Sequence, residues 1–360
     1  MKVRLIMAWG AVVAIAGAGL LCLTGCSNLG YYWQSATGHL SIMAASRPIQ
    51  EWLGDAGAPE RLKARLELTR RIRNYAVTEL KLPDNPSYRR YADLHRNAAI
   101  WNVVVAPRYS LTLKNWCFPV TGCVTYRGYY DLEQARADAA RFAAEGFDTS
   151  VYPVPAYSTL GYMNWAGGDP LLNTFIYYPE GELARLIFHE LAHQVVYAKN
   201  DTTFNESFAT AVERLGGQRW LATQASPQVR EEYEQYDRRR RQFRALALAT
   251  RQRLEALYAN APEGDRERLK QATLQDFRHQ YQQLRASWGG DAARFRGYDQ
   301  WVAQANNASF GAQAVYDELV PGFEALFQRE GGDWVRFYDA VKRLAQLPKE
   351  ERHRLLKELH

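Results

Sequence analysis

Histidine and cysteine are scarce in this chain: of 360 residues, seven are histidine and four are cysteine. There is no internal repeat and no low-complexity tract. The composition carries no mark of disorder, of a collagen-like chain or of a polytopic membrane protein. Charge of one sign is not in large excess either. The formal balance is +6, too mild to argue for a nucleic-acid partner. What is present is apolar and aromatic: 47% and 13% of the residues. That is enough to bury a substantial core in one large domain or two small ones.

The one long apolar run lies at the N-terminus. Lys2 and Arg4 precede a stretch from Leu5 to Leu23, and Leu23-Thr24-Gly25-Cys26-Ser27 follows. This resembles the bacterial lipobox, in which the cysteine is acylated and becomes the first residue. A transmembrane anchor is the other reading of such a run. Residues 1–25 are therefore read as a lipoprotein signal peptide and set aside from the fold, and Cys26 as the lipidation site. Ser27 after it resembles the sorting rule for the outer membrane of Gram-negative bacteria. Loss of Lys2 and Arg4 with the signal takes the balance from +6 to +4. Cys22 leaves too. Cys117 and Cys123 remain, with five residues between them including Pro119 and Gly122. In an oxidising compartment they read as a disulfide closing a tight loop; two buried thiols are the alternative.

Patterning predicts helices through residues 27–50 and 59–81, with a short helix over 88–96, in an N-terminal helical region (26–99). Ile100 to Ala106, Val124 to Tyr130, Asp148 to Val154 and Asn173 to Tyr178 read as strands, and Asp131 to Gly146 as a helix. A buried helix follows from residue 181 or 182 to about 198. A second, capped by Asn205, stops at Gly216-Gly217. These elements make a central region (100–222). Two long charged helices, about 226–260 and 265–288, read as an antiparallel hairpin (223–290). The arginine run Arg238 to Arg241 on the first is a solvated face or a contact to acidic head groups. Residues 291–360 add further helices and end in a charged, frayed tail.

The chemistry is concentrated in His189-Glu190-Leu191-Ala192-His193, an H-E-x-x-H motif. With seven histidines, chance produces it in about one sequence in a hundred. At about 100° per residue the two imidazoles lie about 40° apart on one helix face, where they can take two corners of a tetrahedral zinc. Glu190 on the adjoining face can hold a metal-bound water. Glu206, 13 positions after His193, supplies a third ligand if the chain turns back. Otherwise it is a carboxylate at a helix N-terminus, stabilised by the dipole. Three protein ligands and an open position mark a catalytic site, with Glu190 as general base. A hydrogen-bond donor for the oxyanion is also needed. Tyr126, Tyr157, Tyr197, His279 and Tyr316 are candidates, and Tyr316 is preferred because it sits on a helix after the hairpin.

Several further stretches match one family. They are Tyr31-Tyr32-Trp33-Gln34, Trp116 to Cys123, Tyr126-Arg127-Gly128-Tyr129, Ala156 to Gly161, Asp169-Pro170-Leu171-Leu172, His189 to Gln194, Phe204 to Ala209 and Asn306-Asn307-Ala308. With them the chain resembles the bacterial zinc aminopeptidases predicted within the gluzincin metallopeptidases, many of them lipoproteins. The resemblance implies Zn²⁺ on His189, His193 and Glu206, and a peptide substrate. Aminopeptidases of this class carry a Gly-x-Met-x-Asn strand and a glutamate that holds the substrate's amino group. Here Gly161-Tyr162-Met163-Asn164 contains no glutamate, and Asp169 is the nearest substitute. Tyr157, Gly161 and Asp169 are the expected substrate-binding residues.

The resulting expectation is a predominantly helical α+β protein: a zincin-like catalytic domain with a small sheet and an inserted hairpin. It hangs from the outer membrane, faces the periplasm and hydrolyses peptide bonds. Two rivals are an endopeptidase for misassembled envelope proteins and a non-catalytic lipoprotein whose hairpin binds a partner. The sequence leaves the oligomeric state open.

Overall fold

The computed structural model describes residues 30–118, 122–156, 158–161, 163–289, 292–314 and 319–359. Cys26, Tyr157 and Tyr316 lie outside the described residues. The chain divides into two compact units, residues 1–45 and 46–360. Of the first, one helix is described, α1 (residues 30–45). No described helix is long and apolar enough to cross a membrane.

The second unit is predominantly helical with small sheets, an α+β fold as expected. It opens with β1 (Arg47–Pro48), α2 (Ile49–Gly54) and α3 (Glu60–Thr78). Then come β2 (Arg90–Ala92), β3 (Ile100–Ala106), β4 (Trp116–Phe118), β5 (Gly122–Val124) and β6 (Arg127–Tyr129). The helix α4 (Leu132–Ala144), β7 (Asp148–Val154) and β8 (Leu171–Leu172) lead to α5 (Glu180–Ala192) and α6 (Thr202–Thr223). The hairpin is α7 (Pro227–Asn260) and α8 (Arg266–Ser287). The chain continues through α9 (Arg296–Gln304), α10 (Asn307–Ala314), α11 (Val320–Arg329), α12 (Trp334–Ala345) and α13 (Lys349–Lys357).

Three small sheets form. One has the order β6-β3-β7, and all seven residues of β3 pair antiparallel with β7, from Ile100 against Val154 to Ala106 against Asp148. Six of those seven residues are buried, so this strand is the floor of the fold. In the second sheet β2 lies between β1 and β8, parallel to β8. β4 and β5 form a ribbon that places Cys117 opposite Cys123, with their sulfurs 1.93 Å apart.

Several boundaries differ from the sequence expectation, each for a physical reason. The region 88–96 holds a strand, not a helix, because its backbone joins both β1 and β8. Only Leu171–Leu172 pairs as a strand; Asn173 to Tyr178 forms turns, with Asn173 tied to Leu94 and Arg96 through its side chain. α5 ends at Ala192, not near 198, so that His193 is its C-cap residue. Asp201, not Asn205, caps α6, accepting from the Phe204 amide; Asn205 instead closes the loop by bonding both N–H and C=O of Ala198. α6 runs through Gly216-Gly217. These glycines are close-packing points: a Cβ on Gly217 would stand 2.5 Å from Cγ of Arg185, and one on Gly216 2.7 Å from a methyl of Leu80. The charged tail is also ordered as α13, with Leu356 fully buried and His353 and Arg352 turned onto Asp201.

Candidate metal centre

α5 and α6 carry the site. The α5 residues Leu183, Ile187 and Leu191, with Ala184, Phe188 and Ala192, are completely buried, so the helix is apolar on most sides and lies in the interior. That burial brings His189, Glu190 and His193 with it. α6 returns alongside, its first turn held by Asp201 and Asn205, and presents Glu206 to the two histidines.

One ligand atom from each of His189, His193 and Glu206 falls within 4.8 Å of the others. Glu206 Oε2 lies 3.3 Å from Nε2 of His189 and 3.8 Å from Nε2 of His193. The two imidazoles are nearly perpendicular, at 86°, with centroids 4.9 Å apart. Two imidazole nitrogens and a carboxylate oxygen that converge from different directions on one point suit a small divalent cation. Among the described residues this is the one such cluster.

His189 is fixed on its far side by a residue that the motif reading missed. Glu213 Oε2 is 2.8 Å from Nδ1 of His189. A carboxylate on Nδ1 sets the tautomer and directs the Nε2 lone pair at the ligand point. Glu213 follows Glu206 by seven residues, two helical turns, so the sequence did carry a signal: both carboxylates lie on one face of α6. Glu213 is in turn hydrogen bonded to the Arg185 guanidinium.

Burial and these contacts separate the titrating groups. Burial pulls the His189 imidazole down, but Glu206 and Glu213 outweigh it and hold the pKa well above the ordinary value. His193 is pushed down to about 4 by burial, only partly opposed by Glu206. Glu213 is held at about 2 against its burial, chiefly by Arg185 and then His189. Glu190, half-buried, is pushed up to about 7 by burial, with Glu206 and Asp169 adding to the effect and His189 opposing it. A carboxylate poised there can accept a proton near neutrality and release it again.

Two of the candidate oxyanion donors come to the site. Tyr126, between β5 and β6, is raised well above its usual range by burial and then by the Glu206 charge, with Tyr197, Tyr152 and Glu190 adding to it. It therefore stays protonated and able to donate. The ribbon β4–β5 just before it docks on the loop between the ligand helices, through the Cys123 amide on Asn200 Oδ1 at 2.8 Å. Tyr197 stands beside Tyr126. His279, by contrast, lies on α8 of the hairpin, three residues after Asp276.

Two of the three expected substrate residues, Gly161 and Asp169, lie beyond His193. Gln194 accepts from Asn85 (2.7 Å) and Asn164 (3.3 Å), and donates to Ser87 (3.1 Å) and Asp169 (3.3 Å). Gly161, at φ +80°, lies against it; a Cβ there would be 3.2 Å from Gln194 Oε1. Asp169 is buried, with its other oxygen accepting from the Thr159 amide, and burial raises its carboxyl to about 6. Its carboxylate is thus engaged with protein on both oxygens. Tyr88, which the sequence reading did not single out for the site, adopts φ +63° and buries a hydroxyl with no partner among the described residues; after burial itself, Glu190 is the strongest influence on it.

A model of the family described as putative aminopeptidase matches residues 30–356. The chain belongs to that family. The match spans α1 through most of α13, so the hairpin is part of the family's shared length. No curated protein and no solved structure matches the chain.

Proposed function

We propose that this protein is a zinc-dependent peptidase acting in the periplasm, with a zincin-like catalytic core built on α5 and α6. The observation that carries the reading is the convergence of His189, His193 and Glu206 with Glu190 beside them. The membership in a family of aminopeptidases supports the reaction class. The donor set of two imidazoles and one carboxylate fits zinc with an open position, as catalytic sites have. Bound there, the metal would polarise the scissile carbonyl and lower the pKa of a water molecule towards about 7.

The chain's own residues do the rest. Glu190 takes a proton from the attacking water and passes it to the leaving nitrogen, so that water's oxygen ends on the carbonyl carbon and its proton on the amine. Tyr126 donates a hydrogen bond to the carbonyl oxygen as negative charge develops on it. Glu213 keeps His189 oriented. The lipobox at Cys26 supports anchoring at the outer membrane, and the paired Cys117 and Cys123 suit an oxidising periplasm.

The test is a peptide-library digest read by mass spectrometry, with Glu190→Gln as control and with free and N-blocked peptides in parallel. Cleavage by the wild type, lost in the variant and confined to free N-termini, is the expected result. Identical digests from both proteins would end the peptidase reading. Cleavage of blocked peptides would make the enzyme an endopeptidase.

A further inference from the structure

We propose that the helical hairpin positions the metal site: Tyr233, Asp237 and Arg240 of α7 hold Arg185, and Arg185 holds Glu213 on His189. This rests on the reading of His189 as a metal ligand. The chain of contacts is continuous, with Arg185 buried and its partners half-buried. Arg185 precedes His189 by one turn of α5, so both reach the same carboxylate on α6: Glu213 Oε1 accepts from Arg185 and Oε2 meets Nδ1 of His189. The Arg185 side chain is 4% exposed. Its other nitrogen, Nη1, donates to the Tyr233 hydroxyl at 2.7 Å and to Glu182 at 3.3 Å, with Asp237 at 3.9 Å. Arg240 closes the cluster. It lies 3.0 Å from both oxygens of Glu182 and 3.3 Å from the Tyr233 hydroxyl, and it is bonded to Asp237.

Charge makes these residues a unit. Three carboxylates, Glu182, Glu213 and Asp237, surround two guanidiniums in the interior, and a third guanidinium, Arg241, pairs with Asp237 at the edge (2.6 Å). Moving one member would leave a buried charge uncompensated, at a cost of several kcal/mol. Tyr233, Asp237 and Arg240 recur at four- and three-residue spacing, one face of α7. The arginine run is therefore not wholly a solvated face.

Two glycines make room for the chain. A Cβ on Gly181 would stand 2.4 Å from Cδ2 of Tyr233, and a Cβ on Gly217 2.5 Å from Cγ of Arg185. Glycine inside a helix is unfavourable by about 1 kcal/mol relative to alanine. Here the two occur where α7 and Arg185 must approach the metal helices closely. Fixing the Nδ1 of a ligating histidine fixes where its Nε2 points, and loss of such outer partners weakens metal affinity by about 10- to 100-fold.

The experiment is zinc affinity by chelator competition, together with the Co²⁺ d–d spectrum, on the detergent-solubilised full chain. The proteins are wild type, Tyr233→Phe, Glu213→Gln and the double variant, with melting of each metal-free protein alongside. Tyr233→Phe keeps the ring over Gly181 and removes only the hydroxyl. Expected are about tenfold weaker zinc binding in each single variant, an altered Co²⁺ spectrum, and no further loss when Tyr233→Phe is added to Glu213→Gln. Unchanged affinity and spectrum in Tyr233→Phe would overturn the proposal, as would independent, additive losses in the double variant. If Tyr233→Phe does not fold, Arg240→Gln takes its place under the same criteria. A wild type that binds no zinc defeats the metal reading itself, a result distinct from failure of the relay.

Discussion

The hairpin meets the rest of the chain at two buried charged clusters, one at each end. At the α7 N-terminal end, Tyr233, Asp237 and Arg240 reach Arg185 and, through Glu213, His189. At the turn end, Lys270 of α8 is 3% exposed and donates to Asp148 at 2.7 Å and to the Arg108 carbonyl at 3.0 Å. There Asn307 joins the same group. Its amide donates to Asp148, its side chain donates to the carbonyls of Pro107 and Arg108, and it accepts from Tyr258. Both clusters pair buried ions across elements far apart in sequence. One ends on His189, a proposed metal ligand, the other on the backbone at the edge of β3 and β7. The difference separates two uses of the same chemistry: the turn end fastens the hairpin to the fold, and the other end lets it bear on the site. A helical pair tied at both ends is not a swinging lid.

The largest effect belongs to Glu190, which adjoins His189 and is a member of neither cluster. Glu190→Gln lowers kcat by about 10²- to 10⁴-fold, the range for a lost general base, while zinc stoichiometry stays as in the wild type. Hydrolysis rates and metal analysis on the same sample check this. Zinc lost along with activity would make Glu190 part of the binding network instead.

Breaking the turn end tests the other half of the comparison. Lys270→Met leaves the Asp148 carboxylate buried without its cation, and breaking one side of a buried pair destabilises by about 3–5 kcal/mol. Denaturant unfolding should show that loss, with zinc affinity per folded molecule unchanged. A drop in affinity without a drop in stability would erase the distinction between the two ends.

The sequence made the first end half legible and the second hardly at all. His189, Glu190, His193 and Glu206 could be named because helix periodicity and the H-E-x-x-H spacing are local. Glu213 was equally local, seven residues after Glu206, but a glutamate on a helix has many uses until its neighbour is seen. Arg240 fell within an arginine run read as a solvated face or a contact to acidic head groups, and Arg185 drew no reading, since only tertiary contact joins Arg185 to Tyr233, 48 positions on. Lys270 and Asp148 are 122 apart, and nothing in either segment names the other. The two hairpin helices and the strands β3 and β7 were legible from length and alternation; the pairing of those two strands was not. The end of α5 and the continuation of α6 were not, because packing against Leu80 and Arg185 overrides the usual signal of a glycine pair.

The Arg185 end also has a pH signature. Glu182 is pushed up to about 7 by burial, partly offset by Arg185, with Glu213 and Asp237 adding to the rise. Its folded pKa exceeds the unfolded value, so the folded state holds the proton more tightly. The stability this contributes is fully present below the ordinary carboxylate range and is lost as pH rises towards about 7. Glu213, at about 2, is opposite in sign: it contributes stability above the ordinary range, lost as pH falls through about 2. Between pH 5 and 7 only Glu182 of the two titrates. Glu182→Gln should therefore flatten the decline of melting temperature across that window, and Lys270→Met should leave the decline in place.

The smallest effect on stability discriminates most finely between the two ends. Gly217→Ala replaces a helix-interior glycine, which by propensity alone stabilises α6 by about 1 kcal/mol. The added Cβ would meet Cγ of Arg185 at 2.5 Å, in the stiff part of the side chain rather than at its tip. Arg185 must then shift, and Glu213 with it, so the gain in propensity and the strain of displacement oppose each other. The metal-free protein should melt within a few degrees of wild type, as ΔΔG near zero implies. Zinc affinity should nevertheless fall, because the displaced group is the one that orients His189. Affinity that follows stability instead would mean that Arg185 serves only to hold α5 against α6, and that the two ends of the hairpin do the same work.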